Sequence, residues 1–101
     1  MPQRERVLQE TTTTMSPAEV LESAKQFFAR QMGIYAAFPE QESKSHISMR
    51  GQGGEEVVIA ALSQSGSTRV TGSTYLFDQQ VARFLATLAP VPEAVITEGG
   101  V

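Results

Sequence analysis

The stretch from Gly54 to Leu88, GEEVVIAALSQSGSTRVTGSTYLFDQQVARFLATL, constrains the fold more than any other part of the chain. Glu56–Leu62 is a run of β-branched and small apolar residues. Ser65-Gly66 is a turn signal, and Thr68–Leu76 is a second strand-like run. The spacing then changes. Val81, Phe84, Leu85 and Leu88 recur at helical intervals behind Asp78, which reads as the helix cap, and Pro90 and Pro92 end the pattern. Two strands joined by a tight turn and followed closely by an amphipathic helix specify an α+β domain, a sheet with helices laid on it.

A second strong signal lies upstream, at Met15-Ser16-Pro17-Ala18-Glu19-Val20. Ser16 suits the N-cap and Pro17 the first helical position, while Glu19 can close a capping box onto Ser16. Met15 and Val20 occupy the two positions of a hydrophobic staple. Apolar Val20, Leu21, Ala24, Phe27, Phe28 and Met32 then share one face, which predicts a helix over 16–32 ended by Gly33. Before it, Arg6–Glu10 and the threonines at 11–14 predict a strand that lies at an edge or has one wet face.

After Gly33, the short apolar run Ile34–Phe38 predicts a strand stopped by Pro39, and Glu40–Ser45 a loop. His46–Arg50 alternates, with Ile47 and Met49 on one face, and Gly53-Gly54 turns the chain into Glu56. The expected order is β-α-β-β-β-β-α. It forms a single domain over 1–90, its last four strands an antiparallel meander with both helices on one face. Residues 91–101 read as a mobile tail, in which Ala94-Val95-Ile96 is able to dock on a neighbour.

The order resembles the β-α-β4-α arrangement of the TATA-binding-protein-like fold, and within it a reduced member of the helix-grip superfamily (SRPBCC or Bet v 1-like). The resemblance is carried by Val7-Leu8-Gln9-Glu10-Thr11-Thr12 running into Ser16-Pro17-Ala18-Glu19-Val20, and by Gly66-Ser67-Thr68-Arg69-Val70-Thr71 followed by a C-terminal helix. It implies a small apolar or aromatic ligand held between sheet and helices. A final helix spanning only Asp78 to Leu88 implies a shallow cavity, or one completed by a second subunit.

Composition narrows the chemistry. Eight Lys/Arg against eleven Asp/Glu give a net charge of −3, and the basic residues are scattered rather than clustered, which speaks against nucleic-acid binding. The absence of cysteine excludes disulfides and thiolate chemistry. No apolar run reaches the roughly 18 residues that span a bilayer, and the first ten residues carry no apolar signal core, so a cytoplasmic protein without membrane contact is expected. Charged residues make up 19% of the chain, below the roughly 25% of typical domains, which suggests surface covered by a partner.

Candidate residues are few. His46 is the only histidine, and Glu42 four residues before it would share its face only on a helix, so a solvent-facing strand residue is expected. Gly51-Gln52-Gly53-Gly54 joins strand to strand rather than strand to helix, which makes it a hairpin and not a phosphate cradle. Glu55 and Glu56 point to opposite faces and cannot cooperate as a carboxylate pair. Arg50, Arg69 and Tyr75, with Tyr35, form the one candidate patch, able to hold an anionic or aromatic ligand or to serve as a cross-strand ladder. No catalytic, cofactor or metal constellation is visible. Thr71, Ser73 and Tyr75 give the last strand one polar face, whereas Val57, Ile59 and Ala61 alternate with equally apolar Val58, Ala60 and Leu62. A strand apolar on both faces is usually buried on both. The expectation is a non-enzymatic domain that acts as a homodimer, or as an accessory subunit for a protein partner.

Overall fold

Residues 7–31 and 33–90 are described by a computed structural model, with the backbone alone for Val7 and Ile34. The elements are β1 (Val7–Thr13), α1 (Pro17–Ala29), a 3-10 turn (Gly33–Tyr35), β2 (Ala37–Glu42), β3 (His46–Gly51), β4 (Glu56–Gln64), β5 (Ser67–Thr74) and α2 (Asp78–Ala86). The expected α+β order β-α-β-β-β-β-α is the observed one. Every neighbouring pair is antiparallel in a five-stranded sheet of order β1-β5-β4-β3-β2. The meander β2 to β5 is thus completed by β1, which returns beside β5, and α1 carries the chain from one edge of the sheet to the other.

Helix α1 starts where its sequence says. Ser16 Oγ accepts from Glu19 N–H at 3.2 Å, and Glu19 Oε1 accepts from Ser16 N–H at 2.9 Å, closing the capping box. It ends at Ala29, earlier than the apolar spacing indicates. Arg30 N–H is shared among the carbonyls of Gln26, Phe27 and Phe28, and Gln31 Nε2 donates to Phe27 O at 3.2 Å. Gly33, at φ +57°, then opens the 3-10 turn instead of a strand, with Ala36 N–H donating back to Gly33 O. Met32, placed on the apolar face by its spacing, lies outside the described residues.

Two further expectations are corrected. Strand β2 does not stop at Pro39 but runs through it to Glu42, taking the first three residues of the expected loop 40–45. An edge strand has no partner on one side, so a missing N–H is tolerated there, and the register shifts by a bulge between Pro39 and Gln41. The cap of α2 is Phe77 rather than Asp78, which is the first helical residue and places its charge in the first turn. Phe77 supplies no capping side chain. Its N–H is received instead by Thr74 Oγ1 at 3.2 Å, and the same hydroxyl donates to Glu56 O at 2.9 Å. Thr13 plays the matching part before α1, accepting from Met15 N–H and donating to Ala89 O. Both threonines are fully buried, so each strand-to-helix junction is fixed by a hydroxyl that satisfies two backbone groups.

Both helices cover the same face. Beneath them lie Ile47 and Met49 of β3, Val57, Ile59 and Ala61 of β4, and Val70 of β5, closed from above by Val20, Leu21, Ala24 and Phe28 of α1 and by Val81, Phe84 and Leu85 of α2. Gly72 marks the closest approach of α2. A Cβ there would stand 2.5 Å from Val81 Cγ1 and 3.3 Å from Ile59 Cδ1, so the glycine in the strand is a packing requirement. Residues 91–101, read as a mobile tail, lie outside the described residues.

Candidate functional site

The register determines what the other sheet face displays. Residues paired across antiparallel strands share a face, so Ile47–Ile59–Gly72–Gln9 belongs to the covered side and the rows between belong to the open one. One open row reads Leu8–Ser73–Val58–Ser48–Gln41, and the next Glu10–Thr71–Ala60–His46. The first is flanked by Phe38–Arg50–Glu56 and the second by Thr12–Arg69–Leu62. Serine, threonine, alanine and valine thus make a low, flat floor. Larger apolar side chains stand around it: Leu8 is 67% exposed, and Phe38 and Leu62 are each 54% exposed. Val58 and Ala60 at the centre are only half-buried.

Charge on this face is neutralised within the chain. Arg69 donates from Nε and Nη2 to the two carboxylate oxygens of Glu10, at 3.1 and 2.9 Å. Arg50 grips Glu40 in the same forked manner, from 2.9 to 3.1 Å, and its Nη1 donates to Gly54 O at 3.0 Å. The hydrogen bonds and charge of Arg69 hold the Glu10 carboxyl below its ordinary value of 4.5, and hydrogen bonds from Arg50 do the same for Glu40. Carboxyls depressed in the folded state contribute stability above their unfolded pKa and lose it as pH falls through the lower folded value. Both groups are solvent-exposed, so the contribution is small and screened by salt. Carboxyl NMR titration is expected to place Glu10 and Glu40 below the ordinary glutamate range, with the depression of both shrinking in 1 M NaCl.

The four patch residues are not brought together. Arg50 and Arg69 do share the open face, but Arg50 stands opposite Glu56 and Arg69 opposite Leu62. Six residues of β4 separate those positions, about 20 Å at 3.3 Å per residue. Tyr75 lies with Arg50 in a shallow hollow of about 310 Å³ beside the Gly53-Gly54 turn, walled by Glu55 and Glu56. Tyr35 is off the sheet altogether, its ring 5.6 Å from that of Phe77. A single pocket formed by all four is therefore excluded by distance.

His46 is half-buried at the end of β3. Ser43 Oγ accepts the N–H groups of Ser45 and His46 at 3.2 and 3.1 Å, which leaves its O–H to donate to His46 Nδ1 at 2.7 Å. Glu42 faces elsewhere and meets Lys25 Nζ at 3.2 Å. Glu55 closes the glycine turn by accepting Gly53 N–H at 3.0 Å, the structural role expected of a hairpin. Among the described residues no group of three His, Cys, Asp or Glu is placed to hold a metal ion, and no helix is long and apolar enough to cross a membrane.

The sequence pattern had already separated the covered from the open face of β5. The ion pairs it did not reveal, because Glu10 and Arg69 are 59 residues apart and meet only when β1 returns beside β5. Comparison of the chain with known protein families, with curated proteins and with solved structures finds no match in any of the three.

Proposed function

We propose that the protein is a non-enzymatic α+β domain that works by self-association, two copies meeting through the open faces of their sheets. The observation that supports this reading most is the pair Val58 and Ala60 on β4. These apolar side chains lie at the centre of a flat face that no helix among the described residues covers, while exposed Leu8, Leu62 and Phe38 surround them. Sheets that pack face to face interdigitate such surfaces at about 10 Å. The ion pairs Glu10–Arg69 and Glu40–Arg50 support the same reading, since each arginine on the face already has its carboxylate and a second copy need not supply one.

Size sets the strength. Five strands spaced about 4.8 Å, each about 24 Å long, present roughly 570 Å² per copy, so two faces would bury about 1,100 Å². That is just above the roughly 1,000 Å² that a specific interface clears and points to a weak, reversible dimer. A ligand between sheet and helices has less support, since that space is filled by Phe28, Phe84, Ile59 and Val81, all fully buried. Sedimentation equilibrium from 1 μM to 1 mM is expected to show the mass rising from one chain to two. A single-chain mass at 1 mM would overturn the proposal.

A further inference from the structure

Strands β2 and β3 are joined through Ser43, Lys44 and Ser45, and Ser43 holds the turn together. Its N–H donates to His46 O at 2.8 Å, the bond that closes the hairpin. Its Oγ accepts the N–H groups of Ser45 and His46. A hydroxyl has two acceptor lone pairs and one donor, so both lone pairs are taken by the backbone. The O–H is left to meet His46 Nδ1 at 2.7 Å. That count assigns the proton on the ring. Nδ1 must be bare to receive the hydroxyl, so His46 is the neutral tautomer protonated at Nε2.

A second proton on the ring is incompatible with this arrangement. Its Nδ1–H would point at the hydroxyl hydrogen and at an oxygen with no free lone pair, so the contact must open. The charge also finds no carboxylate to pair with. On β4 the residue opposite His46 is Ala60, and Thr71 of β5 follows in the same row. Glu10 of β1 ends that row, about 14 Å away at 4.8 Å per strand, and Arg69 already holds its carboxylate. On β2, Glu42 meets Lys25 of α1, and Glu40 is gripped by Arg50. Lys44, inside the turn, is a like charge.

We infer that the Ser43–His46 contact is a proton-operated switch on self-association, closed while His46 is neutral and opened when the ring gains a proton. The inference rests on the face-to-face reading, because it needs the open face to be the buried one. His46 stands beside Ala60 on that face, with paired Cβ atoms about 5 Å apart. A protonated ring would carry an unpaired charge into the dry gap between sheets, once from each copy, and such burial is strongly disfavoured. Two associated chains therefore bind fewer protons than two separate ones, and linkage favours association as pH rises. An imidazole ordinarily changes charge at about pH 6.5. Glu10 and Glu40, held below 4.5 by their arginines, stay charged from pH 5 to pH 8.

The test is sedimentation equilibrium of the full chain and of His46→Asn at pH 8 and pH 5, with circular dichroism at both. Asparagine keeps an acceptor oxygen near the place of Nδ1 and takes up no proton. The parent Kd is expected to rise at least about tenfold from pH 8 to pH 5 with the fold intact, and that of His46→Asn to change less than about twofold. A parent dimer of equal Kd at both pH values would overturn the switch and leave the face-to-face reading standing. An equal rise in His46→Asn, or loss of the fold at pH 5, would overturn the switch as well. A single-chain mass at 1 mM and pH 8 would remove the face-to-face reading, and the switch with it. The ring gives a separate check in nitrogen-15 NMR at pH 8, where His46 is expected to carry its proton on Nε2. A proton on Nδ1 would overturn the inference.

Discussion

Replacing Phe84 with alanine is expected to destabilise the fold by about 3–5 kcal/mol, the range for removing a fully buried aromatic ring. Phe84 is the point at which α2 meets α1. Its ring centroid is 5.5 Å from Phe27 and 5.9 Å from Phe28, in tilted arrangements, and it is fully buried. The neighbours cannot close the gap, because α2 is already seated on the sheet at Gly72, where Val81 stands against the bare backbone. A domain of this size has about 5–15 kcal/mol to lose. The melting temperature should fall by roughly 12–40 °C, at 4–8 °C per kcal/mol. Phe38→Ala provides the contrast, since an exposed phenylalanine on the open face should change monomer stability by less than about 0.5 kcal/mol. Chemical denaturation of both variants measures the difference. A loss below about 1 kcal/mol for Phe84→Ala would mean that α2 contributes little to the core.

Ala60→Arg is the second large effect, and it is expected to separate association from folding. Ala60 sits in the middle of the open face between Thr71 and His46, with its side chain pointing away from the core. In a single copy an arginine there reaches water, and its melting temperature at low concentration should stay within a few degrees of the parent. In a face-to-face dimer two arginines, one from each copy, would enter a dry gap of about 10 Å between sheets. Burying a charge without a partner costs several kcal/mol per ion. A loss of only about 2.7 kcal/mol already raises Kd a hundredfold, so the concentration at which the variant associates should rise by at least that factor. An unchanged Kd would place the association elsewhere.

How much of this was legible in the sequence depends on whether the determinant was local. The start of α1 was, because Ser16 and Glu19 carry the whole capping box within four residues. Strand β2 was not, because Pro39 breaks a strand in the interior of a sheet but not at its edge, and edge position is a property of the assembled sheet. The cap of α2 was misplaced by one residue for a similar reason. Thr74, at the end of another element, fixes the junction by accepting Phe77 N–H, and no side chain caps the helix.

The scattering of the patch residues was the most instructive difference. Arg50 lies near the turn that enters β4 and Arg69 near the turn that leaves it, and successive turns of a meander fall at opposite ends of the sheet. That signal was present in the order of the strands, although alternation alone placed both arginines on one face. What the sequence could not supply was the partner of each. Glu40 and Glu10 come from the two edge strands, and only the completed strand order brings them beside Arg50 and Arg69.

The central claim is that the open face of one sheet meets the open face of another. The most direct measurement is an isotope-filtered NOE experiment on an equal mixture of labelled and unlabelled chains at millimolar concentration, which records only contacts between copies. The account predicts intermolecular NOEs among the methyl groups of Val58, Ala60 and Thr71, and none to the buried methyls of Val57 and Ile59. Intermolecular NOEs confined to helix residues such as Ala18 or Ala82, or none at a concentration where the mass is that of two chains, would contradict it.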